Sequence, residues 1–119
     1  MTRMFQSVLM AGFIGFAFFP GSAFSADAKA GHCAEMAKHA QEAVDQGNAG
    51  HVDALVEHDE AALEHGKGCE KEATDAAKPH VKETMKHLKE AVDHGKAGHL
   101  KVALEHAKSA AEHATEAAK

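Results

Sequence analysis

The sequence has no tryptophan, no tyrosine, two prolines and two cysteines in 119 residues. All six phenylalanines fall before Ser25, so from there on histidine is the sole ring-bearing side chain apart from proline. A chain without aromatics has little to pack against a macrocycle, and Cys-x-x-Cys-His is absent, so no haem is expected. β-branched residues are too scarce for a sheet. Lysine and arginine total 13 against 18 acidic residues, which excludes the basic stripe of a nucleic-acid binder. Neither His-Glu-x-x-His nor a nucleophile motif occurs, so no enzyme is expected. The longest apolar run, Val8 to Phe19, is 12 residues, short of the roughly 20 that cross a bilayer.

That run has a different meaning. Arg3 supplies a positive start, Pro20 and Gly21 break the run, and Ala23 and Ser25 sit at −3 and −1 of a cleavage site before Ala26. The layout predicts a secretory signal peptide over residues 1–25. Its removal leaves an exported, non-membrane domain over 26–119, expected to be monomeric. Large apolar side chains are few in it, and thin cores of this size often need a metal, a disulfide or oligomerisation.

What remains is rich in Ala, Glu, Lys and Leu, the strong helix formers. Breaks at Gly47–Gly50, at Gly66-Lys67-Gly68, before Pro79 and at Gly95–Gly98 predict helices over 31–46, 51–65, 79–94 and 99–117, with Glu70 to Lys78 either a short helical turn or an extension of the second helix. A shift of 48 overlays the chain on itself. Between repeat 1, about 32–66, and repeat 2, about 80–114, 17 of 35 positions are identical, with a linker at 66–78. The fold expected is all-α: a four-helix bundle made of two duplicated helical hairpins.

Eleven histidines are the main excess. They recur at intervals of seven: 32 and 39; 51, 58 and 65; 80, 87 and 94; 99, 106 and 113. Seven residues are two turns, so each set lines one edge of its helix, at the border between core and solvent. The turn lengths set a register in which paired positions sum to 97 in the first hairpin and 193 in the second. His32 then faces His65, His39 faces His58, His80 faces His113, His87 faces His106 and His94 faces His99. Gln46, not a histidine, faces His51. The rungs of this ladder should lie roughly 10.5 Å apart, at 1.5 Å per residue.

Two helices about 8–10 Å apart let imidazoles converge on one ion. The candidate metal ligands are therefore His32, His39, His51, His58, His65, His80, His87, His94, His99, His106 and His113. Glu35, Glu42, Glu83 and Glu90 each lie three residues after a histidine, on its face. Imidazole with carboxylate suits divalent ions, Cu(II) ahead of Ni(II), Co(II) and Zn(II). Facing histidines repel when protonated, so uptake should weaken below about pH 6. Cys33 and Cys69, an even pair in an exported chain, are expected to form a disulfide; the alternative is a thiolate contribution to a soft-metal site.

Glu-Ala-Val-Asp-His-Gly-Lys-Ala-Gly-His at 90–99 and Ala-Leu-Glu-His-Ala-Lys at 103–108 resemble the bacterial small metal-binding protein family. The resemblance implies a periplasmic helical bundle that takes up several divalent ions, copper foremost. The motif His-Gly-Lys-x-Gly-His carries over onto His94, Gly95, Lys96, Gly98 and His99; the first half departs from it at Gln46 and Asn48. A rival expectation is an envelope stress or chaperone-type protein that binds another protein, with incidental metal binding.

Overall fold

The computed structural model describes residues 31–119. The signal segment expected at 1–25 lies outside them. Four helices follow in order: α1 (His32–Asn48), α2 (Val52–Glu72), α3 (Lys78–Lys96) and α4 (Leu100–Ala117). The helices pack as α1 with α2, α2 with α3, α3 with α4, and α4 back against α1. This is an up-down four-helix bundle of two hairpins, the architecture the internal duplication predicts.

Both hairpin turns have one construction. Gly50 and Gly98 adopt positive φ, 85° and 79°, where a side chain would be strained. His51 N–H then donates to Gln46 C=O at 2.9 Å and Gly50 N–H to Gly47 C=O at 3.0 Å. His99 and Gly98 donate to His94 and Gly95 in the same way. This pattern closes the open carbonyls of a helix end. The earlier glycine of each turn serves packing instead. A Cβ on Gly47 would come within 2.7 Å of Leu104 and Leu55 side-chain carbons, and one on Gly95 would strike Val56.

The expected break at Gly66-Lys67-Gly68 does not occur; α2 runs on to Glu72. These glycines admit neighbours rather than end a helix. Gly66 is buried, with a would-be Cβ 3.0 Å from Met85 Cγ and 3.4 Å from Met36 Sδ, and Gly68 leaves room for the His32 ring. Each interior glycine costs about 1 kcal/mol relative to alanine. An offset stands nearby: Cys69, on the extra turn, is disulfide-bonded to Cys33 at the start of α1. Crosslinking residues 36 apart contributes about 4 kcal/mol by restricting the unfolded chain. Thr74 orders the short link to α3, accepting at Oγ1 from Ala77 N–H, and Pro79 occupies the first turn of α3, where no N–H is needed.

The core is thin and uneven. Met36, Leu55, Val81 and Leu88 are its large, fully buried apolar side chains. Helix α4 contributes only alanines to the buried set: Ala103, Ala107, Ala110, Ala111, Ala114 and Ala117. Two polar side chains are also buried. Thr84 Oγ1 donates to His80 C=O at 2.8 Å. Asp59 is fully buried and neither carboxyl oxygen has a partner.

Candidate metal centre

Each hairpin lays its histidines along the groove between its two helices. The register is the expected one: ring centroids are 5.5 Å apart for His32 and His65, 5.9 Å for His39 and His58, 5.6 Å for His80 and His113, 5.5 Å for His87 and His106, and 5.9 Å for His94 and His99. His51 Nδ1 bonds Gln46 Oε1 at 3.0 Å.

The rungs are not isolated from one another, as the register alone suggested. Diagonal ring pairs stack at comparable distances: His39 on His65 at 5.4 Å, His87 on His113 at 5.9 Å and His94 on His106 at 5.6 Å. Side chains lean toward the N-terminus of their own helix. In an antiparallel pair they lean in opposite directions, so each ring slides between two rings of its partner helix. The second hairpin thereby holds an unbroken zigzag of six rings: His99, His94, His106, His87, His113 and His80. The first holds four, His58, His39, His65 and His32, and Gln46 separates them from His51.

A carboxylate joins the rings at the middle of each hairpin. Glu42 Oε2 lies 3.0 Å from His39 Nδ1 and 3.1 Å from His58 Nδ1. Glu90 Oε2 lies 3.5 Å from His87 Nδ1 and 3.0 Å from His106 Nδ1, and those two nitrogens are 3.2 Å apart. Donors bound at about 2.0–2.1 Å to a tetrahedral ion sit roughly 3.3 Å from each other, and nearer 2.9 Å in square geometry. Four of the five measured edges, 3.0–3.2 Å, fall within that interval, and the His87–Glu90 edge at 3.5 Å lies just beyond it. His39 Nδ1 is buried and lacks a hydrogen-bond partner despite its nearness to Glu42, so its lone-pair direction is not consumed by a protein bond. The ligand groups are half-buried: 24% of the His39 side chain is exposed, 31% of His58, 22% of His87 and 27% of His106. Three donors converge from two helices at an open edge, which leaves further coordination positions to water.

A third group, Glu35, His39 and His65, lies one step toward the open end of the first hairpin. A model of the small metal-binding protein family matches residues 3–117. The chain belongs to that family. No curated protein sequence matches it. Metal binding, the property the family is named for, thus coincides with three clusters of ligand atoms, each cluster gathered within 4.8 Å.

Not every expected ligand is drawn in. Glu83 is exposed and joins no three-ligand group among the described residues, although its repeat equivalent Glu35 does. Glu35 pairs with His39 and His65 rather than with His32. His32 and His65, Nδ1 atoms 3.2 Å apart, and His80 and His113, 3.4 Å apart, are further two-nitrogen rungs. Glu72 meets His32 from the other side, accepting from its backbone N–H at 2.9 Å. His51 and His99 are exposed at the turns. Cys33 and Cys69 are held in their disulfide and have no free thiolate for an ion.

Asp59 was not foreseen as a site of interest. Burial pushes its carboxyl up to about 8 from 3.8. The signal was available: residues following a ladder histidine are generally apolar and face the core, and Asp59 follows His58 where Ala107 follows His106 in the other repeat.

Proposed function

We propose that this chain is an exported, non-catalytic protein that takes up several divalent transition-metal ions, Cu(II) first, and serves to buffer or sequester them in the periplasm. The observation that carries the reading is the meeting of His87 Nδ1, His106 Nδ1 and Glu90 Oε2 at 3.0–3.5 Å on a half-exposed groove, with its counterpart at His39, Glu42 and His58. Two imidazoles and a carboxylate favour Cu(II) over Ni(II), Co(II) and Zn(II). Ligands at an open edge exchange with solvent, which suits uptake and release better than permanent structural binding. The remaining histidine pairs, His32 with His65, His80 with His113 and His94 with His99, supply weaker positions. The apolar run and cleavage pattern of residues 1–25, together with a disulfide of the kind that persists in oxidising compartments, support export.

The protein-binding alternative draws no support from the surface. Among the described residues Val102, at 36% exposure, is the single large exposed hydrophobic, and one valine is not a docking face. Titration of metal-free protein with Cu(II) at pH 7 tests the proposal: more than one equivalent bound supports it, and none bound rejects it.

A further inference from the structure

His39 belongs to two ligand groups at once. It joins Glu42 and His58 in one group and Glu35 and His65 in another. Its ring lies 5.9 Å from that of His58 and stacks on that of His65 at 5.4 Å. The second hairpin has no such sharing among the described residues: His87, Glu90 and His106 form one group, and Glu83 stands outside. Resting on the metal-binding reading above, we propose that His39 is a shared ligand which makes the two positions of the first hairpin mutually exclusive, so that one tightly held ion moves between them by exchanging Glu42 and His58 for Glu35 and His65.

Two features support exclusion over double occupancy. A pair of divalent ions on either side of a single imidazole would repel strongly at so short a range. The His39 Nδ1 atom is buried and lies 3.0 Å from Glu42, so an ion bound there fixes the one ring that the Glu35 and His65 position also requires. The stacked rings also put the incoming donor close to the outgoing one. Transfer can proceed donor by donor, with neither ion nor protein passing through a ligand-free state.

Counting tightly held ions separates exclusion from independence. The full folded protein and its variants are loaded with Cu(II) at pH 7, passed through a desalting column and analysed for retained copper. Under the shared-ligand account His58→Ala loses no retained equivalent, because the ion occupies the Glu35 side. Glu35→Ala alone also loses none. The double variant H58A/E35A loses one, and His39→Ala loses one. Independent sites would make His58→Ala lose one equivalent and His39→Ala lose two, and either result overturns the proposal. The count for His58→Ala decides the matter even if His39→Ala fails to fold. Copper retained by the wild-type protein shows that the underlying metal reading stands whichever way the variants fall; absence of retained copper in the wild type would remove both.

Discussion

The two hairpins share a backbone and a register but differ in how they are finished. The second is the cleaner ladder: six rings in continuous contact, one carboxylate at its centre, and a buried set in α4 made of alanine alone. The first is the more braced and the more burdened. It carries the disulfide, a gap at Gln46, a shared His39 and an unpartnered acid in its core. The comparison teaches that one helical repeat can be kept as a metal-ligand scaffold while its copies trade stability devices. A crosslink offsets a buried carboxyl in one copy, and the other needs neither.

Removing the crosslink should have the largest effect. Replacing Cys33 and Cys69 by alanine is expected to lower stability by about 4 kcal/mol, which for a domain of this size lowers the melting temperature by roughly 15 °C or more. Hydrogen exchange should show α1 and the last turn of α2 opening first. Equal loosening of both hairpins would break the distinction drawn between them.

Asp59→Ala, which installs the residue of the second repeat, should act in the opposite direction. The folded protein keeps a proton on Asp59 up to about pH 8, whereas the unfolded chain releases it near 3.8. The folded state therefore binds more protons between those values, and wild-type stability falls as pH rises through that window. Denaturation at pH 5 and pH 8 should show the variant's advantage growing with pH, to about 2 kcal/mol or more at pH 8. A pH-independent difference would mean that the carboxyl finds a partner or water.

Gln46→His fills the gap in the first ladder and should bring its turn end up to the standard of His94 and His99. The expected gain is about tenfold in Cu(II) affinity at that end, or roughly 1.4 kcal/mol, measured by competition titration. The smallest effect concerns the seam between the hairpins. Lys96 Nζ pairs with Glu60 Oε1 at 2.5 Å, and their repeat equivalents, Asn48 and Lys108, cannot form an ion pair. Lys96→Ala should cost less than about 1 kcal/mol, as exposed pairs do, with the loss vanishing at high salt.

Much of this was legible in the residues. The 48-residue repeat, the glycine turns and the seven-residue histidine interval were enough to place four helices and to pair the rings correctly, because helix pitch and turn length leave little freedom. Three things were not. The direction in which side chains lean, opposite in antiparallel partners, turned separate rungs into a continuous stack. Gly66 and Gly68 read as a break, yet their role depends on Met85, Met36 and His32 arriving from other helices, which local propensity does not register. Glu35 and Glu83 are equivalent in the repeat, but only Glu35 reaches a ligand group; nothing in the spacing distinguishes them.

Imidazole nitrogen NMR during Zn(II) addition addresses the central claim most directly, since Zn(II) is diamagnetic and reports on every ring separately. The account predicts that His87 and His106 shift together through Nδ1 within the same equivalent, as do His39 and His58, while the turn rings of His51 and His99 respond later. Independent titration of His87 and His106, or first response at the exposed turn rings, would contradict it.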